Sequence, residues 1–207
     1  MVTIGIDFNR VLENFYKKEN HKIIINETQD SGKAELEVIF PNLPNISYYK
    51  LEEEKTQWLK FINNQKCADG VVLQINESQN RHAIIYIFEL KSTLSSSTWS
   101  KVLKQYRGAL LRAISFCNVV GISDIREVYL YTSFTDSSKL DSEKKAIESQ
   151  QNVKGLIAKK RFVGLKSEEI LKWGNTNIKL FPNGGYFPHQ KITLRHVNGV
   201  NTGSFIV

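Results

Sequence analysis

Cys67-Ala68-Asp69-Gly70-Val71-Val72-Leu73-Gln74-Ile75 and, after eight intervening residues, Ile84-Ile85-Tyr86-Ile87-Phe88-Glu89-Leu90-Lys91 form the stretch that decides the fold. Two apolar runs, 71–75 and 83–90, flank the polar Glu77-Ser78-Gln79-Asn80. Short apolar runs rich in β-branched and aromatic residues on either side of a polar turn predict a β-hairpin. The second run is apolar at odd and even positions alike until Glu89. Both of its faces must therefore be covered, as in a central strand.

The hairpin also predicts a meeting of charges. Asp69 lies ten residues before Gln79 and Glu89 ten after, so a symmetric hairpin sets them opposite each other. Opposed residues share a face, with Cβ atoms about 4.5–5.5 Å apart. Lys91 follows Glu89 by two and falls on that face as well. Two carboxylates this close repel, and a divalent cation with oxygen ligands relieves the repulsion. Mg²⁺ suits such a site, with Mn²⁺ as a substitute, because it takes few carboxylates and keeps waters for a phosphate. Lys91 would orient or activate a water and offset negative charge developing on phosphoryl oxygens. A plain ion pair, with Lys91 neutralising Asp69 or Glu89, is the other reading, and the three residues alone leave both open.

Outward from the hairpin, Ile23-Ile24-Ile25 and Glu35-Leu36-Glu37-Val38-Ile39-Phe40 read as a second hairpin about Asp30-Ser31-Gly32-Lys33. Residues 9–18 carry Val11, Leu12, Phe15 and Tyr16 on one helical face, and 51–63 also read as a helix. Residues 98–119 show apolar positions at helical spacing, with N-caps on offer in Ser95-Ser96-Ser97-Thr98 and Gly121 as the stop. Val128-Tyr129-Leu130-Tyr131 is a strand, 136–151 an exposed helix, and 167–173 a short helix capped by Ser167. Residues 178–181, 192–196 and 204–207 are candidate strands, with a loop at Pro182-Asn183-Gly184-Gly185. The expectation is one α/β domain over 1–207 with a mixed central sheet flanked by helices, its core at about 51–131.

Composition is that of a globular chain, 41% apolar and 24% charged over 207 residues. No apolar run approaches the roughly 20 residues of a membrane-spanning helix, so no membrane partner is expected. Cys67 and Cys117 sit among apolar neighbours and read as reduced core residues of a cytoplasmic protein. The segment 154–207 holds nine Lys/Arg against two acids, an excess equal to the chain's whole net charge of +7. Such asymmetry suits a polyanionic partner. Lys159-Lys160-Arg161 would contact phosphates or else form a solvated charge run. Gly184-Gly185-Tyr186-Phe187 with His189 would be a base-stacking loop or a plain surface turn. Trp99 reads as a packing residue.

Residues 67–73 followed by 85–93 resemble the PD-(D/E)XK nuclease superfamily, the restriction-endonuclease-like fold. There an acid opens one strand of a hairpin, an acid-x-Lys triplet closes the next, and a helix then packs on the sheet. The resemblance implies Asp69 and Glu89 as metal ligands, the backbone carbonyl of Leu90 in the metal shell, and Lys91 as the catalytic lysine. It implies a Mg²⁺-dependent phosphodiesterase, with an endonuclease on DNA ahead of RNA, in restriction, defence or repair. The small size is compatible with a homodimer. Ala68 stands where the superfamily's name expects proline. Gln105 matches the glutamine of one branch, but Ala109 stands where that branch has tyrosine, with Tyr106 adjacent. Glu54, and further upstream Glu13, are candidates for an additional acid. The alternative is a nucleic-acid-binding subunit that keeps a nuclease-like fold without cleavage.

Overall fold

The computed structural model describes residues 16–27, 33–51, 67–78, 81–154 and 165–207. The chain runs β1 (Tyr16–Glu19), β2 (Lys22–Glu27), β3 (Ala34–Ile39), β4 (Ile46–Leu51), β5 (Gly70–Asn76), β6 (His82–Thr93), α1 (Ser96–Val119), β7 (Asp124–Asp136), α2 (Ser138–Lys154), α3 (Leu165–Lys172), β8 (Asn177–Lys179), β9 (Tyr186–Thr193), β10 (Arg195–Val197) and β11 (Val200–Ile206). Seven strands form one sheet in the order β1-β4-β5-β6-β7-β9-β8, and four form another in the order β10-β11-β3-β2. Both are mixed: β6–β7 and β7–β9 pair parallel in the large sheet, and β11–β3 pairs parallel in the small one.

The β5–β6 hairpin pairs from Asn76↔His82 to Gly70↔Phe88, the register of a hairpin symmetric about Gln79. Strand β6 is the central strand, and side-chain alternation sends its residues to two different cores. Ala83, Ile85 and Ile87 join Val71, Leu73 and Ile75 under α1, where Trp99, Leu103, Tyr106 and Leu110 are buried. Tyr86, Phe88 and Leu90 face the opposite way, onto Ile23, Ile25, Leu36, Val38 and Phe40 of the small sheet. Aromatic rings fill that second interface, with Phe88 stacked on Tyr131 at 4.8 Å and Phe40 edge-on to Tyr86 at 5.0 Å.

The expectation of helices flanking the sheet is corrected on this point. Among the described residues helices cover one face of the large sheet and the small sheet covers the other. The hairpin read at 23–25 and 35–40 supplies β2 and β3 of that covering layer. The chain passes between sheets through Leu194, the one residue between β9 and β10, and returns through a tight turn whose Asn198 and Gly199 both take positive φ. Asn-Gly in that turn is the favoured pair for a two-residue hairpin.

Three local expectations change. Tyr16, Lys17 and Lys18 are strand rather than helix, because β1 pairs with β4 and Tyr16 packs edge-on against Tyr49 and Phe116. Residues 9–15 of that predicted helix lie outside the described residues, as do 52–63, while Leu51 ends β4. Helix α3 begins at Leu165, so Ser167 is inside it rather than at its cap. Tyr186, Phe187 and His189 belong to β9, not to a loop.

Helix α1 starts where the sequence signals it. The Ser95 side chain accepts a hydrogen bond from the Thr98 amide, and Gly121 (φ 74°) follows the C-cap. Cys67 and Cys117 are free and buried. Among the described residues no helix is long and apolar enough to cross a membrane.

Candidate functional site

Four charged side chains meet where β6 leaves the core. Asp69 immediately precedes β5, and the Gly70↔Phe88 pair sets it beside Glu89 at the end of the ladder. Asp69 Oδ2 accepts a hydrogen bond from the Leu90 amide at 2.7 Å, which closes the strand pair with a side chain. Glu89 shares the face of Ile85 and Ile87, is fully buried, and lies level with Thr132 of β7. The Lys91 ammonium sits 2.6 Å from Glu89 Oε1 and 3.6 Å from Asp69 Oδ2, and donates to the Leu90 carbonyl at 2.8 Å.

The fourth group is Glu27, the last residue of β2. Its Oε1 accepts from Lys91 Nζ at 3.2 Å, and its side chain is 5% exposed. Sequence reasoning missed it, although a signal was there. Ile23, Ile25 and Glu27 alternate onto one face of β2, so the run that buries two isoleucines must bury Glu27 as well. Gly70 makes the approach of β2 feasible. A Cβ there would lie 2.5 Å from Ile25 Cδ1, so glycine lets the small sheet come down on the strand that follows Asp69.

Electrostatics follow from burial. Burial pushes the Glu89 carboxyl well above its usual range, the nearby Asp69 adds to the effect, and Lys91 opposes it. Glu27 and Asp69 are raised mainly by burial too, with Lys91 again opposing. Burial by itself would lower the Lys91 pKa, but Glu89, Asp69 and Glu27 together outweigh it and hold the ammonium above its ordinary value. Lys91 is therefore a permanent cation among three carboxyl groups.

Gln105 reaches the site indirectly. Its Nε2 donates to the Cys67 carbonyl at 3.2 Å, which steadies the segment leading into Asp69. Next to it, the Tyr106 hydroxyl hydrogen-bonds Thr132 Oγ1 at 2.6 Å, and Thr132 Oγ1 meets His189 Nε2 at 2.8 Å. This buried polar chain lies directly beneath the Glu89–Thr132 level of the sheet. Trp99 packs edge-on against Trp173 and serves the core, as its position suggested.

Glu54, Glu13, Lys159, Lys160 and Arg161 lie outside the described residues. Of the other basic residues in the C-terminal segment, Lys191 stands 3.8 Å over the Trp173 ring and Lys179 lies over Tyr186.

Among the described residues no three His, Cys, Asp or Glu side chains are spaced as ligands of one metal ion. The Lys91 ammonium lies between the carboxylates. The donor set nevertheless suits a hard divalent cation, being carboxylate and carbonyl oxygen throughout. Glu89 Oε2 and Glu27 Oε2 are buried and accept no hydrogen bond, a costly state that a cation would relieve. Comparison with family models, curated proteins and solved structures gives no match.

Proposed function

We propose that the protein is a divalent-metal-dependent nuclease that hydrolyses phosphodiester bonds, with DNA ahead of RNA as substrate. One observation carries this reading: Asp69, Glu89 and Lys91 converge at the end of a central strand, with Glu89 wholly buried and one of its oxygens unpartnered. A buried acid with an unsatisfied oxygen is a poor structural element and a good ligand. Their resemblance to the PD-(D/E)XK pattern adds a reaction type to this chemistry.

Asp69, Glu89 and the Leu90 carbonyl would hold Mg²⁺ or Mn²⁺. Such an ion supplies Lewis acidity toward a phosphoryl oxygen and makes water nucleophilic at neutral pH. Asp69 is held in orientation by the Leu90 amide. Lys91 carries a fixed positive charge with which to orient the attacking water and to offset charge on the phosphoryl oxygens. The excess of basic residues in 154–207 provides a sequence-independent attraction to a polyanion.

A second reading is a nucleic-acid-binding subunit without cleavage. It is favoured by the full engagement of Lys91 with Glu27, Glu89 and the Leu90 carbonyl. One experiment separates the two. Purified protein is incubated with plasmid, linear duplex, single-stranded DNA and RNA in Mg²⁺ or Mn²⁺. Cleavage that is lost in folded Glu89→Ala and Lys91→Ala supports the nuclease. Salt-sensitive binding with no cleavage under either metal supports the subunit, and cleavage that survives both substitutions sinks the site.

A further inference from the structure

Two lysines stand on one face of the large sheet, on either side of β7. Lys91 lies two residues before the end of β6, and Lys191 two before the end of β9. The three strands run parallel, so their carboxyl ends lie together. Ligands of sheets with this arrangement gather at those ends. Glu89 is level with Thr132, and Thr132 is level with Lys191. That row places Lys191 two strands from Glu89, about 10 Å across the sheet.

The two lysines differ in what holds them. Lys91 is engaged by Glu89, Glu27 and the Leu90 carbonyl. Lys191 is exposed, and its Nζ stands 3.8 Å over the wholly buried Trp173 ring. Among the described residues no carboxylate lies within ion-pair distance of it. Asp141 acts on it through space but is committed elsewhere. Its oxygens accept from the Trp173 indole at 2.8 Å and from the Ser137 hydroxyl at 2.6 Å. Asp141 thus fixes the indole, and the indole is a rigid platform for the ammonium. Partial burial lowers the Lys191 pKa, Asp141 opposes this, and Lys144 adds to it. A positioned ammonium with no counter-ion, within the field of a second lysine, attracts an anion.

We infer that Lys191 is a phosphate contact for a nucleic-acid strand lying across the carboxyl ends of β6, β7 and β9, with Trp173 and Asp141 as its positioning residues. The inference rests on the nucleic-acid part of the nuclease reading and not on cleavage. Such a contact carries no base information. It sets the register of the strand, so that a neighbouring phosphate falls beside Asp69, Glu89 and Lys91.

The test is fluorescence anisotropy of a labelled single-stranded DNA and of its duplex, titrated with the full chain in chelator so that no strand is cut. NaCl is varied over about 50 to 200 mM. Lys191→Met keeps an unbranched stem over Trp173 and removes the charge. It should weaken binding about three- to tenfold at the lowest salt and reduce the log–log salt slope by about one. Its melting temperature should stay close to that of the parent. Lys191→Arg should bind as the parent does. Lys17→Met removes an equal charge from β1, at the far edge of the sheet, and should weaken binding by less than about twofold. Should Lys191→Met melt well below the parent, Lys191→Gln decides instead. Unchanged affinity and slope in the Lys191 variant, an equal loss in Lys17→Met, or no DNA binding by the parent overturns the inference. The same proteins in Mg²⁺ or Mn²⁺ keep the two readings apart. Binding that depends on Lys191 without any cleavage leaves the contact standing and removes the nuclease. Cleavage by a protein whose binding is indifferent to Lys191 does the reverse.

Discussion

Glu27 and Lys91 are 64 residues apart in the chain and meet at 3.2 Å, one at the end of a strand in the small sheet and the other near the end of the central strand of the large one. Their contact, with side chains 5% and 14% exposed, ties a buried charge cluster to the docking of two layers.

Stability should answer very differently to the two partners. Lys91→Met leaves three buried carboxyl groups without a cation, and removing one side of a buried charge set costs about 3–5 kcal/mol. For a chain of this size that lowers Tm by roughly 10 °C. Glu27→Gln removes one of three acids, keeps an oxygen for Lys91 to donate to, and should change stability by about 1 kcal/mol or less. Thermal melts in chelator at pH 7 measure both.

Gly70→Ala should destabilise by about 1–3 kcal/mol, the range for overpacking. The new Cβ would fall 2.5 and 2.8 Å from two carbons of Ile25, which is wholly buried. Relief requires β2 to shift, and Glu27 would shift with it. Urea unfolding gives the loss. A double mutant with Ile25→Val should recover part of it, since it removes the closest carbon.

Burial holds the His189 imidazole down at about 4. The unfolded chain protonates this residue near 6.5, so between pH 6.5 and 4 the unfolded state binds more protons. His189 therefore contributes stability in full above pH 6.5, and that contribution is lost as pH falls toward 4, by about 3 kcal/mol in total. The raised carboxyls of Glu27, Asp69 and Glu89 act in the opposite direction, their folded forms holding protons that the unfolded chain releases as pH rises. His189→Gln isolates the histidine. Its urea midpoint should fall less between pH 7 and pH 4.5 than that of the parent, and equal falls would refute the assignment.

Gln105→Ala removes the hydrogen bond to the Cys67 carbonyl. Its loss is worth about 0.5–1.5 kcal/mol, enough to loosen the approach to Asp69. With the nuclease reading, cleavage should slow by roughly three- to tenfold, in kcat rather than KM, while the melting temperature changes little. A change confined to KM would assign Gln105 to substrate contact instead.

Much of the framework was legible in the chain because it is local. The polar turn around Gln79 sets the register of β5 and β6, and register carries Asp69 to Glu89 and Lys91 to the same face. Ser95 and Gly121 bound α1 by the chemistry of helix ends. Tyr16 misled, since the helical spacing of its neighbours was outweighed by pairing with β4, a tertiary choice. Tyr186 and His189 misled likewise, because the glycines before them signal a turn but both belong to β9, where Tyr186 pairs with Lys179 of β8 and His189 with Leu130 of the distant β7.

By itself the sequence determined the central hairpin, the meeting of Asp69, Glu89 and Lys91, the helix that follows, and the burial of both cysteines. Those follow from periodicity, turn chemistry and short-range register. Tertiary structure alone decided that a second sheet, rather than a helix, covers the far face of the large one, and that Glu27 joins the site across it. No local rule pairs residue 27 with residue 91. Their contact exists because the apolar faces of two sheets must be buried against each other, and that packing sets the end of β2 beside the end of β6.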